Sequence, residues 1–184
     1  MLDKPILTGQ TIYLRPITVD DAENMFNSLA DEESMRLTGT TQTFLFEDVL
    51  AYCKRIETAE DRVDYAIVLK DTSEYVGEVV LNEIDWENRS ANFRIALASK
   101  NYFGKGYGSE ATQLILAFGF DSLDLHRIEL EVYDFNPRAQ HVYDKVGFQK
   151  EGVRRDVLLW EGEYHSAIQM SILKPEFYLS KGSG

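Results

Sequence analysis

The chain has 184 residues, 44% of them hydrophobic and 27% charged, which is the size and composition of one globular domain with one substantial core. No apolar run approaches the roughly 20 residues that span a bilayer, and residues 1–5 lack the features of a signal peptide, so we expect no membrane segment and a cytoplasmic location. The net charge of −12 is concentrated in residues 1–92, which carry 19 acids and 8 bases, and it argues against nucleic acid as a partner.

The acidic half has two open interpretations. It either forms solvated faces that keep the protein in solution, or it frames a site for a cationic molecule. Cys53 is the single cysteine, so no internal disulfide can form, and its helical spacing from Val49 and Ile56 predicts a buried core residue rather than a nucleophile. The three histidines are far apart and form no metal-ligand motif, so we expect no metal.

Hydrophobic periodicity predicts alternating groups of strands and helices. In chain order these are a strand at 11–16, a helix from Asp20, a polar loop at about 31–43, a helix at 46–59, strands at 64–70, 75–86 and 90–98, a helix at 109–123, a strand at 127–133, a helix from Asn136 to Gly147, and strands at 148–158 and 164–173. The order β-α-α-β-β-β-α-β-α-β-β predicts one mixed α/β (α+β) domain over residues 1–184, with a mainly antiparallel sheet and a core at about 11–178. The last residues, 181–184, are expected to be loose.

A glycine-rich turn lies between a predicted strand and the helix at 109–123. It reads Phe103-Gly104-Lys105-Gly106-Tyr107-Gly108-Ser109. Three glycines in five residues allow a tight turn and a close approach of backbone to a ligand, and the helix N-terminus that follows presents unpaired N–H groups. Together these features favour a phosphate or pyrophosphate, although a tight connection without a ligand would look the same.

A second group of residues follows about 30 positions later. Asn136 and Pro137 open a helix that carries Tyr143 and ends at Gly147. Each residue has a structural explanation, since Asn136 can cap the helix, Tyr143 can belong to the core and Gly147 can terminate the helix.

The combination of 103–108, Asn136 and 143–148 resembles the GCN5-related N-acetyltransferase (GNAT) superfamily, whose glycine turn has the form Gln/Arg-x-x-Gly-x-Gly/Ala. An aromatic residue at the first place, here Phe103, and the ending 162–170 resemble the ribosomal-protein N-terminal acetyltransferases and the spermidine acetyltransferases. The resemblance implies a six- to seven-stranded sheet flanked by four helices, acetyl-CoA as cosubstrate, and a homodimer.

The resemblance also implies a role for each matched residue. The strand carrying Ile95 and Leu97 would separate from the strand at 127–133 and bind the pantetheine arm, which Asn136 would also contact. Tyr143 would lie near the sulfur as general acid, because a phenol with a pKa near 10 is protonated at pH 7. The remaining residues expected to bind CoA are Phe103, Gly104, Lys105, Gly106, Tyr107, Gly108, Ser109 and Lys145.

The general base is not fixed by the sequence. Many relatives carry a glutamate where this chain has Asn92, and an amide cannot act as a base. Two carboxylates remain upstream, Glu78 and Glu83, and Glu83 matches an acidic position of the polyamine-acetylating relatives, whereas another such position holds Val80. We therefore expect Glu83 or a water chain to remove the proton, or Glu83 to be an ordinary exposed strand residue.

The function expected from these features is acetyl transfer from acetyl-CoA to a primary amine in a ternary complex. The acceptor is a polyamine such as spermidine or, alternatively, a protein N-terminus. Two other classes stay open, a non-catalytic acyl-CoA-binding regulatory domain and an interaction domain without a ligand.

Overall fold

The computed structural model describes residues 2–181. Of the end expected to be loose, 181–184, Lys181 is the last residue of a helix and 182–184 lie outside the described residues. The eight strands of its sheet are β1 (Leu7–Thr8), β2 (Ile12–Pro16), β3 (Val63–Leu69), β4 (Tyr75–Asp85), β5 (Ser90–Leu97), β6 (Arg127–Tyr133), β7 (Gln149–Trp160) and β8 (Glu163–Leu173). The six helices are α1 (Ala22–Ser28), α2 (Glu32–Thr38), α3 (Phe46–Glu57), α4 (Tyr107–Asp121), α5 (Pro137–Val146) and α6 (Lys174–Lys181).

The strands form one mixed sheet in the order β1-β2-β3-β4-β5-β6-β8-β7. All neighbours are antiparallel except β5 and β6, which are parallel. This confirms the predicted mixed class with a mainly antiparallel sheet, although the described residues hold eight strands and six helices rather than seven and four.

Two apolar layers cover the two faces of the sheet. On one face, α4, α5 and α6 bury side chains that include Ile115, Phe120 and Phe177. On the other face, α1 and α3 bury a smaller cluster that includes Met25 and Cys53, so Cys53 is a core residue as predicted. None of the helices in residues 2–181 is long and apolar enough to cross a membrane.

The parallel strands β5 and β6 separate soon after they meet. Their pairing covers Ser90 with Arg127, Ala91 with Ile128 and Asn92 with Glu129, and it stops there. From Phe93 onward β5 keeps its partner β4 on one side but has no strand on the other. The sheet therefore has an opening that connects its two faces, and each strand presents a free backbone edge to it.

The segment predicted as a polar loop contains α2. Asp31 caps this helix by accepting a hydrogen bond from Ser34 N at 2.8 Å, and Gly39 ends it with a left-handed backbone at φ 64°. The pattern prediction failed because the seven residues are too few and too polar to show an apolar stripe. The short edge strand β1 and the C-terminal helix α6 were also not predicted.

Candidate active site

The glycine-rich turn opens onto the cleft between β5 and β6. Gly106 lies at the N-cap of α4 with φ 86°, and a Cβ added there or at Gly104 meets no atom within 4 Å. The first amides of α4 therefore face open space rather than packed side chains. A helix N-terminus in this state binds an anionic group such as a pyrophosphate.

The cleft has a volume of about 820 Å³ and runs from the glycine-rich turn through the opening in the sheet. Ile95 and Leu97 line it from β5, and Leu130 and Val132 line it from β6. The Leu97 carbonyl already accepts a hydrogen bond from Ser34 Oγ at 2.9 Å, which fixes α2 to the end of β5. Apolar side chains from both strands beside free backbone groups suit an extended arm such as pantetheine, which has both apolar parts and amides.

Asn136 and Tyr143 both line this cleft from α5. Asn136 also has its structural role, because its Oδ1 accepts a hydrogen bond from Ala139 N at 3.2 Å. Tyr143 is 8% exposed and packs edge-to-face on Phe93, with ring centroids 5.8 Å apart. Burial raises the pKa of Tyr143 well above its ordinary value, so its hydroxyl stays protonated at neutral pH and can donate a proton.

The predicted cofactor residues do not all reach the cleft. Phe103, Gly104, Gly106, Tyr107, Gly108 and Ser109 line it. Lys105 and Lys145 are exposed and are absent from its walls. Lys145 lies two positions after buried Tyr143 on α5, about 200° around the helix axis, and its side chain is exposed.

Arg138 is a cleft residue that the sequence analysis missed. Its guanidinium lies 3.8 Å from the centroid of the Phe103 ring and lines the cleft beside the glycine-rich turn. A planar cation stacked on an aromatic ring keeps a fixed orientation and can bind phosphate with two hydrogen bonds. Its position two residues after Asn136, on the first turn of α5, is the feature that could have identified it.

Glu83 and Asn92 both line the cleft. Glu83 is exposed, with a left-handed backbone (φ 52°), at the point where the β4–β5 register shifts. Asn92, at the position where many relatives have a glutamate, donates a hydrogen bond to Asn82 Oδ1 at 2.8 Å. Both therefore lie in the cleft, but only Glu83 carries a group that can accept a proton.

A second cavity of about 560 Å³ lies under α1, α2 and α3. Apolar side chains such as Met25, Leu29 and Phe44 form much of its wall, and Glu78 of β4 lines it. The two cavities share wall residues around the end of β5, namely Ser34, Thr38, Arg94, Ala96 and Leu97. Within residues 2–181 there is no group of three or more side chains suited to a metal ion.

Comparison with known proteins gives one consistent result. Residues 11–149 match the family model described as an acetyltransferase (GNAT) domain. The chain is 34% identical to the spermidine N(1)-acetyltransferase of Escherichia coli over 171 residues, covering 92% of this chain and 90% of that protein. It is 30% identical to the uncharacterized N-acetyltransferase p20 of Bacillus licheniformis over 174 residues, covering 93% and 97%.

The same fold occurs among solved structures. The crystal structure of spermidine N-acetyltransferase from Vibrio cholerae, in complex with CoA and spermine, superposes with a TM-score of 0.86. The match covers 92% of this chain and 99% of that chain at 24% identity.

Proposed function

The chain belongs to the GNAT acetyltransferase family and is an acetyl-CoA-dependent N-acetyltransferase; from this premise we propose that its acceptor is the primary amine of a small cationic molecule. One observation carries the proposal. The cleft beside the first amides of α4 continues through the opening between β5 and β6, and it shares five wall residues with a second cavity whose wall includes Asp48 and Glu78. An acetyl donor bound on one face of the sheet can thus reach an amine bound on the other face.

The binding of CoA is proposed for the residues around the first cavity. The amides of the glycine-rich turn and the Arg138 guanidinium suit the diphosphate, and the free edge of β5 suits the amides of the pantetheine arm. This arrangement leaves the thioester at the opening in the sheet. Tyr143 lies on the α5 wall of the same cleft, so we assign it the proton for the departing sulfur.

The acceptor must lose a proton before it reacts, because a primary amine with a pKa near 10.4 is mostly an ammonium ion at neutral pH. A carboxylate of β4, Glu83 or Glu78, takes that proton directly or through water. The spermidine-acetylating relatives and the surplus of acids in residues 1–92 support a polyamine as acceptor. A homodimer and a cytoplasmic location remain parts of the same proposal.

A panel of amines tests the proposal. Purified protein is incubated with acetyl-CoA and spermidine, spermine, putrescine, aryl-alkyl amines, amino acids or short peptides, and release of the free CoA thiol is followed. We expect small cationic amines to give the highest kcat/KM. Preference for peptides would indicate a protein N-terminal acetyltransferase, and CoA binding without turnover of any amine would indicate a binding module.

A further inference from the structure

The second cavity lies directly behind the opening where the thioester would react. Glu78 pairs with Ala66 on β3 and with Ala96 on β5, so the three side chains project from the same face of the sheet. That face is the one covered by α1 and α3, and Ala96 lines both cavities. Glu78 is thus one strand away from the free edge of β5, on the side opposite Tyr143.

The Glu78 carboxylate is poorly compensated inside the protein. Its Oε2 is buried, and nothing in the described part of the chain forms a hydrogen bond with that atom. Burial raises the pKa of Glu78 to about 6, against the opposing effect of the positive charge of Arg94. A buried carboxylate oxygen without a partner carries a desolvation cost, which a bound cationic group would offset.

Most of the other acidic groups around Glu78 already have hydrogen-bond or ion-pair partners. On β3, Asp64 forms an ion pair with Arg62 at 2.7 Å and accepts a hydrogen bond from the Tyr52 hydroxyl at 3.1 Å. Asp48 accepts a hydrogen bond from Leu45 N at the start of α3. The remaining titratable or charged groups facing this cavity or Glu78 are Tyr52, Cys53 and Arg55 of α3, Tyr75 of β4 and Arg94 of β5.

We propose that Glu78 binds the acceptor's ammonium group in the second cavity and accepts its proton. The inference rests on the proposed acetyl transfer and specifies the acceptor side of that site. Glu83 is the weaker choice because it is exposed to water, where an ammonium ion keeps its hydration and its proton. Glu78 instead offers a buried, unpaired carboxylate oxygen on the cavity wall, one strand from the opening where the amine would react.

The proton balance of the step is complete. The ammonium nitrogen gives one proton to Glu78, and its lone pair forms the bond to the thioester carbon. The carbon–sulfur bond breaks, its electrons stay on sulfur, and Tyr143 donates a proton there. The nitrogen's second proton replaces the one lost by Tyr143, and Glu78 releases its proton to solvent, so the products are the amide, CoA thiol and one proton.

The cavity also limits the kind of acceptor. Of the carboxylates on its wall, Asp48 is used in capping α3, and two arginines are present, so the cavity is suited to one ammonium group of the acceptor, and the other ammonium groups of a polyamine would lie outside it. The Met25, Leu29 and Phe44 side chains then contact the carbon skeleton next to that nitrogen. The acceptor class is therefore a primary amine on an alkyl chain or a ring.

The test compares Glu78→Gln and Glu78→Asp with Glu87→Gln, which removes the same charge from an exposed turn outside both cavities. The pH dependence of kcat/KM is measured from pH 5 to 9 with the best amine of the panel, together with the Kd for CoA. For Glu78→Gln we expect a loss of about 100-fold or more in kcat/KM, without the wild-type inflection near pH 6, and a Kd for CoA within about threefold of wild type. Glu78→Asp should recover part of the rate, and Glu87→Gln should match wild type.

The outcomes separate the inference from the function on which it rests. If wild-type protein acetylates an amine and Glu78→Gln keeps both the rate and the inflection, Glu78 is not the proton acceptor. If Glu83→Gln instead removes the inflection, the base is Glu83. If wild-type protein acetylates no amine, the proposed function itself fails, and the inference fails with it.

Discussion

The role of the glycine-rich turn can be tested by two alanine substitutions with opposite expected effects on stability. Gly106 has φ 86°, a left-handed conformation that costs an L-residue roughly 1–2 kcal/mol. Gly106→Ala should therefore lower Tm by about 2–8 °C for a chain of this size. Gly108 lies within α4, and a Cβ there meets only Ile95 Cδ1 at 3.8 Å, an ordinary contact. Gly108→Ala should raise stability by about 0.5–1 kcal/mol, because alanine favours a helix over glycine.

Binding of CoA should separate the two variants further. The methyl group of Gly106→Ala projects into the open space beside the first amides of α4, and we expect the affinity for CoA to fall at least tenfold. At a CoA concentration 100 times the wild-type Kd, ligand stabilisation should then decrease from about 2.7 to about 1.4 kcal/mol. Gly108→Ala should bind within about threefold of wild type, because the matched motif accepts alanine at its last position.

The assay is thermal unfolding with and without CoA, with Kd measured by isothermal titration. Equal CoA-dependent increases in Tm for wild type and Gly106→Ala would show that the amides of the glycine-rich turn do not hold the diphosphate. An equal loss of affinity for CoA in both variants would show that the ligand contacts the α4 backbone at Gly108 as closely as at Gly106.

Three further substitutions test other parts of the site. Tyr143→Phe should lower kcat by about 100-fold while the Kd for CoA stays unchanged, and a full rate would remove Tyr143 as general acid. The pKa of Glu78 is raised to about 6 in the folded state, so its ionisation destabilises the fold as pH rises from about 4.5 through 6. In thermal unfolding, Glu78→Gln should therefore be more stable than wild type by up to about 2 kcal/mol at pH 7.5 and equally stable near pH 4. Gly39→Ala should lower the free energy of unfolding by at least about 1–2 kcal/mol, because φ is 64° and the new Cβ would lie 2.6 Å from the Tyr133 ring. An unchanged Tm would contradict this packing.

The parts of the site that the sequence predicted are those encoded by local pattern. The glycine-rich turn and the cap of α5 depend on neighbouring residues, and the apolar face of α4 follows from Ala111, Ile115 and Phe118, all of them buried. Local pattern was therefore enough to place one wall of the cleft. The family resemblance gave the separation of β5 from β6, which no periodicity contains, and the matching family confirms that resemblance.

The parts that were missed depend on packing between distant segments. Glu78 was named as one of two candidate carboxylates, but its burial was not predicted, because only the cover provided by α1 and α3 buries its carboxylate oxygen. The second cavity joins residues from Met25 to Leu97, so no window of sequence contains it. Lys145 belongs to the matched motif, yet its side chain lies on the exposed side of α5, which the motif alone does not predict.

The short helix α2 has a mechanical consequence for the opening in the sheet. One end is fixed to β5 through the Ser34 hydroxyl, and the other end rests on the end of β6 through Gly39 against the Tyr133 ring. Its cap, Asp31, also accepts a hydrogen bond from Lys100 N, just before the glycine-rich turn. Beyond Asn92 the strands β5 and β6 share no backbone hydrogen bonds, so the seven-residue helix α2 bridges their ends where the sheet is open.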